Sequence, residues 1–262
     1  MERVEDKLHV LCIPVSPTGI GDVSRLFAAK LLEESLLITF VNPYACALAK
    51  KHADYIQVLE SFDIVACDGI GMVKAARASG LKTIQRESFD YTSMADPVFK
   101  WAAQNGQRLG LVGGKPGVAD QAALLLRRKF PDLQIVACYS GFGEGPDDAR
   151  RFFSKNHTEL VVCGMGAPLQ ERYLIRLAAE GWHGIGFTCG GFLDQLTTGD
   201  SYYPKWVDKF NIRFLYRLAK EPGRLWRRYL IDYQVFLKGY SRLQWEIIKS
   251  KLGVGQSPDK VE

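Results

Sequence analysis

Short apolar runs alternate with helix-length amphipathic segments from Leu8 to about Gly191. The apolar runs predict strands at Leu8–Val15, Leu36–Val41, Ile64–Cys67, Arg108–Val112, Leu133–Cys138, Leu160–Cys163 and Ile185–Cys189. The segments between them predict helices at Asp22–Glu33, Tyr44–Leu59, Gly71–Ser79, Thr92–Gln104, Pro116–Lys129, Pro146–Ser154 and Leu169–Glu180. Continuous apolar strands separated by amphipathic helices are typical of a parallel sheet covered on both faces. We therefore predict an α/β fold with a mostly parallel, Rossmann-like sheet flanked by helices.

Five of the predicted strands end on Gly, Asn or Asp. These ends are Val41-Asn42, Cys67-Asp68-Gly69, Val112-Gly113-Gly114, Cys163-Gly164 and Cys189-Gly190-Gly191. In an open parallel sheet, ligands bind in the crevice at the carboxyl ends of the strands. The sequence therefore predicts a single crevice to which these five ends contribute.

The pattern changes after Gly199, where the chain reads as helix with a break near Glu221-Pro222-Gly223. We divide the chain into an α/β catalytic core, residues 1–200, and a C-terminal helical appendage, residues 201–262. Between Tyr203 and Lys251, twelve basic residues stand against four acidic ones, a local charge of +8 in a chain whose net charge is +5. A basic patch this local indicates a charged partner rather than a feature of the fold.

The segment 203–251 of the appendage also holds eleven of the thirty aromatic residues of the chain. Trp226, Tyr229, Tyr233, Phe236 and Tyr240 recur at helical spacing, with arginines beside them. Three interpretations are open: a helix packed on the core, a segment lying on an anionic membrane that helps to complete the active site, and a nucleic-acid surface. No recognised nucleic-acid module accompanies the basic residues, so we do not expect a nucleic-acid partner.

The composition is that of a globular protein, with 262 residues, 47% hydrophobic and 24% charged. The apolar run from Leu8 is too short for a signal sequence, and no stretch of about 18 apolar residues follows. We therefore expect a cytoplasmic protein, peripheral on the inner face of the cell membrane if the appendage binds lipid. The six cysteines form no C-x-x-C pair and keep no zinc spacing with the four histidines, so we expect reduced thiols and no metal site.

Few cofactor motifs occur. Gly19-Ile-Gly21 and Gly69-Ile-Gly71 follow predicted strands, but neither completes G-x-G-x-x-G. An NAD(P)-dependent oxidoreductase of doubly wound fold is therefore the alternative rather than the first hypothesis, and no cofactor is expected. The P-loop, the G-x-S-x-G and H-E-x-x-H motifs and a D-x-D pair are also absent. Any phosphate ligand would be held by backbone N–H groups, helix N-termini and Arg or Lys.

Asp68 is the residue most indicative of catalysis. It follows the apolar run Ile64–Cys67 and precedes Gly69, which puts it at a strand end beside a helix start. A carboxylate in such an apolar position could have a raised pKa and act as a general base. Its alternative role is to cap the next helix.

Two glycine-containing loops follow the last two strands. In the segment 164–171, Gly164 and Gly166 allow close approach of the backbone to a ligand, and Gln170 and Glu171 follow on the next helical turn. The segment 187–194 repeats this design with Gly190 and Asp194. Such loops can seat a sugar or a phosphate at a helix N-terminus.

These motifs, in this order, resemble the WecG/TagA/CpsF family of bacterial glycosyltransferases. The resemblance rests on Asn42, Asp68-Gly69, Gly113–Gly117, the G-x-G-x-P-x-Q-E motif at 164–171 and the G-G-x-x-D motif at 190–194. Tyr216-Arg217-Leu218, Glu221-Pro222, Arg224 and Arg228-Tyr229 also resemble the ending of that family. The resemblance implies an inverting, metal-independent enzyme that uses a UDP-sugar donor. The sugar would be of the N-acetylmannosamine type or a uronic acid, and the acceptor would be a polyprenyl-diphosphate-linked saccharide.

The resemblance also implies roles for individual residues. Asp68 would deprotonate the acceptor hydroxyl, and Asn42 would hold a substrate hydroxyl or phosphate oxygen. Gln170 and Glu171 would contact the donor sugar or the nucleotide. The diphosphate charge would be neutralised by Arg217, Arg224 and Arg228. Further substrate contacts are expected at Thr39, Arg86, Gly114, Gly164, Gly166, Gly190 and Asp194.

Two departures from the family pattern bear on substrate identity. Where many members show Arg-Val-x-Gly-x-Asp, this chain has Arg86-Glu87-Ser88-Phe89-Asp90, one residue shorter and without the glycine. Near Tyr202-Tyr203-Pro204, the usual Arg-Ala-Pro lacks its arginine and alanine.

The resemblance permits self-association into a homo-oligomer. A third hypothesis is a basic scaffold that binds a membrane or nucleic acid without catalysis.

Overall fold

A six-stranded parallel sheet forms the centre of the molecule. The computed structural model describes residues 6–21, 35–198, 207, 213–220 and 222–252. The strands are β1 (Leu8–Val10), β2 (Ile13–Val15), β3 (Leu36–Val41), β4 (Ile64–Cys67), β5 (Arg108–Gly113), β6 (Gln134–Tyr139), β7 (Leu160–Gly164) and β8 (Ile185–Thr188). Strands β3 to β8 pair in the order β4-β3-β8-β7-β5-β6, every pair being parallel. The predicted α/β class with a mostly parallel, Rossmann-like sheet is confirmed.

The predicted strand Leu8–Val15 is wrong as a single strand, because the chain reverses within it. Strands β1 and β2 pair antiparallel, with Val10 opposite Ile13. The two residues between them, Leu11 and Cys12, have φ angles of 51° and 72°. Positive φ at both central residues is the pattern of a type I′ turn, which favours Asn-Gly. A left-handed conformation costs a residue with a Cβ roughly 1–2 kcal/mol, so the Leu-Cys pair gives no indication of a turn in the sequence.

Helices alternate with the strands and continue into the appendage in the described part of the chain. They are α1 (Tyr44–Lys51), α2 (Tyr55–Glu60), α3 (Ile70–Ala78), α4 (Ala95–Gln104), α5 (Val118–Lys129), α6 (Gly145–Lys155), α7 (Leu169–Ala179), α8 (Phe192–Thr197), α9 (Arg213–Lys220) and α10 (Pro222–Arg227). A π-helical turn, Arg228–Asp232, leads into α11 (Tyr233–Lys251). The predicted helix Asp22–Glu33 lies outside the described residues.

The predicted helix Tyr44–Leu59 is wrong as one helix, because α1 ends at Lys51 and α2 begins at Tyr55. The break falls at His52, whose backbone is extended, with φ −127° and ψ 107°. It redirects the chain so that Tyr55 and Leu59 are buried, at 1% and 0% exposure. No Pro or Gly marks the break in the sequence, and packing therefore decides it.

Apolar side chains cover both faces of the sheet, since successive strand residues point to opposite sides. On β7, Val161 and Cys163 belong to one buried cluster, while Leu160 and Val162 belong to the other. The first cluster includes residues of α1, α2, α3, α6 and α7; the second includes residues of α4, α5 and α8. The carboxyl edge of the sheet is thus left for the loops that carry the candidate site.

The appendage contacts the core through α11 and the π-helical turn. Phe236 is buried, and a Cβ added at Gly71 in α3 would lie 3.5 Å from its ring. Lys51 Nζ lies 2.6 Å from Asp232 Oδ1 and joins the end of α1 to the π-helical turn. Among the described helices, none combines the length and apolar character needed to cross a membrane. The division into a core at 1–200 and an appendage at 201–262 stays a prediction.

Candidate active site

Asp68 lies directly after β4, at the carboxyl edge of the sheet. Its backbone N–H donates to the carbonyl oxygen of Val41 at 2.8 Å, which continues the pairing of β4 with β3. Helix α3 begins at Ile70 with Gly69, φ 85°, as its N-cap. Asp68 therefore lies one residue before the capping position, which does not favour the helix-cap alternative. Its side chain is 35% exposed, so the carboxylate is accessible to a ligand.

Arg86 holds its guanidinium beside this carboxylate, with Nε 3.6 Å from Asp68 Oδ1. Its Nη2 donates to Ser88 Oγ at 2.7 Å and to Asp90 Oδ2 at 3.0 Å, and its Nη1 donates to Thr92 Oγ1 at 3.3 Å. These contacts fix the rotamer of a long side chain that would otherwise be mobile. The guanidinium is thereby held with its positive charge beside the Asp68 carboxylate.

The Glu87 carboxylate binds the segment that follows β2. It accepts hydrogen bonds from the backbone N–H groups of Ile20 at 2.9 Å and Gly21 at 3.3 Å. The backbone N–H of Glu87 donates to the carbonyl oxygen of Cys67 at 2.9 Å. The first glycine pair of the sequence, Gly19-Ile-Gly21, is therefore held near the β4 end by a carboxylate.

A buried polar cluster lies under the last strand loop. Thr39 Oγ1 donates to Glu171 Oε1 at 3.2 Å and lies 2.8 Å from Thr188 Oγ1. Gln170 Nε2 also donates to Glu171 Oε1, at 2.9 Å, while Gln170 Oε1 accepts from the N–H of Gly190 at 3.0 Å. The cluster therefore fixes the position of the Gly190 loop.

Glu171 is the unusual member of this cluster, since only 1% of the residue is exposed. Within the described residues its Oε2 has no hydrogen-bond partner. Burial raises the pKa of its carboxyl group, and the hydrogen bonds from Gln170 and Thr39 oppose that rise. The roles of Thr39, Gln170 and Glu171 as substrate contacts stay predictions, because these side chains bond to one another and to Thr188 in the structure.

The glycines at the strand ends bring three loops into close contact. A Cβ added at Gly164 would lie 2.9 Å from both Cys189 Sγ and the carbonyl oxygen of Gly190, so only glycine fits there. The N–H of Gly114 donates to the Gly164 carbonyl at 3.2 Å. Gly114, Gly166 and Gly190 have positive φ angles of 66°, 76° and 56°. These loops meet at one edge, as the strand ends predicted.

Asn42 and Arg228 come together although 186 positions separate them. Asn42 Oδ1 accepts from the N–H of Tyr44 at 3.0 Å and from Arg228 Nη2 at 3.2 Å. The Arg228 guanidinium also lies 4.4 Å from the centre of the Tyr44 ring, a cation–π contact. Within the described residues, the buried Arg228 Nε has no hydrogen-bond partner. Arg228, a residue of the appendage, thus places a positive charge at the end of β3.

Comparison with known proteins identifies the family. The model of the glycosyl transferase WecG/TagA/CpsF family matches residues 8–249. The chain belongs to this family. Two relatives illustrate its range. A UDP-Gal:alpha-D-GlcNAc-diphosphoundecaprenol beta-1,4-galactosyltransferase of Shigella boydii is 30% identical over 82% of this chain and 89% of its own length. An N-acetylglucosaminyldiphosphoundecaprenol N-acetyl-beta-D-mannosaminyltransferase of Bacillus subtilis strain 168 is 24% identical over 74% of this chain and 75% of its own length.

A third relative, from Staphylococcus aureus strain MW2, carries the same N-acetylmannosaminyltransferase name as the Bacillus protein. It is 23% identical over 87% of this chain and 88% of its own length. The chain is therefore a glycosyltransferase. Family membership does not favour the oxidoreductase alternative or a scaffold without catalysis.

The remaining predicted site residues of this glycosyltransferase have less structural context. Asp194 is exposed in the first turn of α8. Arg217 belongs to α9 and Arg224 to α10, but their side chains lie outside the described part of the structure. The segment around Tyr202-Tyr203-Pro204 also lies outside the described residues. Their predicted contacts with substrate stay predictions.

Sequence reasoning missed the set of residues that surrounds Arg86. Ser88, Asp90 and Thr92 hold its guanidinium, and Glu87 holds the Gly19–Gly21 segment. The only sequence indication was the departure from the family pattern at 86–90. The alternation of polar residues there could have suggested a hydrogen-bonded loop, but not the partner that it holds.

Proposed function

We propose that this glycosyltransferase moves a sugar from a UDP-sugar to a polyprenyl-diphosphate-linked saccharide, with inversion and without a metal ion, in the synthesis of a bacterial cell-surface polysaccharide or exopolysaccharide. The observation that carries the proposal is the accessible Asp68 carboxylate, with Arg86 Nε at 3.6 Å, at the carboxyl edge of a parallel sheet. The named activities of the relatives support both the donor class and the lipid-linked acceptor.

In the proposed reaction, Asp68 accepts the proton of the acceptor hydroxyl group. The acceptor oxygen forms a bond to the anomeric carbon of the donor sugar. The bond from that carbon to the diphosphate oxygen breaks, and UDP leaves with the electron pair. A single in-line displacement of this kind inverts the configuration of the carbon. Fixed donors that meet the charge on the leaving diphosphate lower the barrier.

A cation at this edge suits the leaving diphosphate. Arg228 lies at the end of β3, and the family resemblance assigns the same role to Arg217 and Arg224. The loops that contain Gly114, Gly164 and Gly190 meet at the same edge. This arrangement supports charge neutralisation by the protein, as in a metal-independent enzyme.

The donor sugar is proposed only as a class. The relatives are named for galactose and for N-acetylmannosamine. The family resemblance adds uronic acids. A UDP-linked hexose, N-acetylhexosamine or uronic acid is therefore the donor range to test.

We further propose that the appendage docks on an anionic membrane on the cytoplasmic side, where a lipid-linked acceptor would be found. On α11, Leu237, Trp245, Ile248 and the following Leu252 are all exposed and recur at helical spacing. Lys238 and Lys249 lie beside this apolar stripe. Exposed apolar side chains next to lysines are typical of a helix at a bilayer interface. Self-association stays a prediction.

Transfer assays with an Asp68→Asn variant test the reaction. The donors are UDP-galactose, UDP-N-acetylmannosamine and UDP-glucuronic acid, with EDTA present, and the acceptor is N-acetylglucosamine diphosphate on a lipid. We expect the wild type to use at least one donor. Loss of the base should lower kcat by roughly 10²–10⁴-fold while UDP affinity is retained.

Asp96→Asn provides the matched control, because Asp96 pairs with Lys100 and Lys129 on α4 and α5, outside the candidate site. It should keep the wild-type kcat. An Asp68→Asn enzyme with full kcat would move the base elsewhere. No turnover and no UDP binding with any donor would reject the transferase assignment of substrates, and a dinucleotide binding assay would then test the oxidoreductase alternative.

A further inference from the structure

An apolar cavity separates α11 from the β1–β2 hairpin. Its volume is about 430 Å³, within the roughly 300–1,000 Å³ of small-molecule sites. The lining residues are Leu11, Cys12, Cys46, Val235, Gly239, Arg242, Leu243 and Glu246. On α11 these residues extend over roughly 16 Å of helix length, given the rise per residue. The lining therefore runs along about three turns of the helix.

The walls of the cavity offer little to a polar ligand. Leu11, Val235, Gly239 and Leu243 contribute hydrocarbon or backbone only. Burial raises the pKa of the Cys46 thiol to about 12, with the neighbouring Cys12 thiol also raising it, so that this wall is uncharged at neutral pH. Arg242 and Glu246, both exposed residues, supply the charged side chains of the lining.

The cavity lies beside the candidate active site. Cys46 belongs to the first turn of α1, two residues after Tyr44, whose ring contacts Arg228. On the opposite wall, Gly239 is one turn from Phe236, which packs against Gly71 three residues after Asp68. The same two helices therefore border both the cavity and the loops of the site.

The hairpin turn that lines the cavity has a strained backbone. Leu11 and Cys12 both have positive φ angles, at 51° and 72°, which are unfavourable for residues with a Cβ. In this turn Leu11 and Cys12 line the cavity, where Asn-Gly would leave it more open and less apolar. Strain of this kind is concentrated at ligand-binding positions.

We propose that this cavity holds the isoprene units of the acceptor lipid nearest to its diphosphate. The inference rests on the proposed function, because it is the lipid-linked acceptor that supplies such a chain. It assigns the β1–β2 hairpin and α11 a role in selecting acceptors by their lipid. An isoprenoid needs no hydrogen-bond partners along its length, which matches the apolar walls. Arg242, an exposed residue of the lining, supplies a cation that suits the diphosphate to which the isoprene chain is attached.

Filling the cavity from Gly239 tests the inference. A Cβ there would lie 3.6 Å from Leu11, an ordinary contact, so Gly239→Ala is tolerated and serves as the control. Gly239→Leu places a larger side chain in the space of the isoprenoid. Transfer is compared on N-acetylglucosamine diphosphate carrying an ethyl or a farnesyl group. Each buried methylene changes affinity by about four-fold. We therefore expect the wild type and Gly239→Ala to prefer the farnesyl acceptor by at least about 10-fold in kcat/KM.

Gly239→Leu should lose most of that preference while its kcat/KM on the ethyl acceptor stays within about two-fold of wild type. A Gly239→Leu enzyme that keeps the farnesyl preference overturns the inference. Leu243→Gln, which makes a wall of the cavity polar at nearly constant volume, gives a second test if Gly239→Leu unfolds. It should reduce the preference in the same way.

A binding measurement separates failure of this inference from failure of the proposed function. The probes are a fluorescent geranyl diphosphate and the corresponding ethyl compound, measured by fluorescence anisotropy without any donor. Tighter binding of the geranyl probe to wild type and Gly239→Ala than to Gly239→Leu supports the cavity even if no transfer is detected. Equal affinity of all three proteins for the geranyl probe overturns the inference, even where transfer shows that the proposed function is correct.

Discussion

Buried Glu171 should make the stability of this protein fall as the pH rises. The folded-state pKa of its carboxyl group is raised by burial, above the ordinary value of 4.5. A group with a raised folded pKa stabilises the fold fully below its unfolded pKa, and this contribution is lost as the pH rises through the folded pKa. Above about pH 4.5, the wild type must either ionise Glu171 inside the protein or hold a proton that the unfolded chain releases.

Glu171→Gln replaces the titratable carboxyl group by an amide of the same size. The amide keeps an oxygen that can accept hydrogen bonds from Thr39 and Gln170. The free energy of unfolding of the wild type should therefore fall relative to that of the variant as the pH rises. One proton limits the slope to about 1.4 kcal/mol per pH unit. The slope should vanish above the folded pKa, where Glu171 is ionised in both states.

Urea unfolding from pH 4.5 to 8 measures the difference between the two proteins. The matched control is Glu180→Gln, because Arg150 and Arg176 lower the pKa of that carboxyl group through hydrogen bonds of 2.7 and 3.2 Å. A lowered pKa stabilises the fold above the unfolded pKa, and this contribution is lost only as the pH falls below it. The difference between the wild type and this control should therefore stay nearly constant over the assayed range. A pH-independent difference between the wild type and Glu171→Gln would refute the argument.

Two further predictions concern packing and membrane binding. Gly164→Ala should cost about 1–3 kcal/mol by overpacking and lower the melting temperature, because its Cβ would lie 2.9 Å from the Gly190 carbonyl oxygen. Gly223→Ala, with nothing within 4 Å of the new Cβ, should leave the melting temperature unchanged or slightly higher; equal losses in the two variants would contradict the packing argument. Replacing Lys238, Lys249 and Lys251 by Gln should weaken binding to phosphatidylglycerol vesicles roughly 100-fold in sedimentation assays and leave binding to phosphatidylcholine vesicles unchanged. Unchanged affinity for the anionic vesicles would count against docking by α11.

Sequence reasoning recovered the strands of the six-stranded sheet and the edge at which the candidate site lies. Apolar runs such as Leu160–Cys163 are local features, and a strand buried on both faces needs no distant partner to be recognised. Asp68 could be singled out for the same reason, since a carboxylate directly after such a run must lie at the sheet edge. The family resemblance rested on motifs of this local kind.

Polar contacts between distant segments could not be predicted in this way. Arg228 reaches Asn42 across 186 positions, and the partner of Arg86 at Asp68 follows from where two loops meet. Gln170 and Glu171 follow a glycine loop in sequence, yet they are buried, because α7 packs its first turn against β3 and β8. Hydrogen bonds of this type depend on which segments become neighbours in the fold. The sequence of one segment does not indicate which other segment will lie beside it.

The sequence by itself thus determined the sheet, its carboxyl edge and the class of residue at that edge, because strand burial imposes a local pattern of apolar residues. Only the tertiary structure decided that Leu8–Val15 reverses at Leu11–Cys12 and that α1 ends at Lys51. The turn at Leu11–Cys12 is locally unfavourable and is stabilised by burial of Ile13–Val15. The break after Lys51 has no Pro or Gly to indicate it and is stabilised by burial of Tyr55. The cavity against α11 follows from that reversal, since the hairpin turn forms one of its walls.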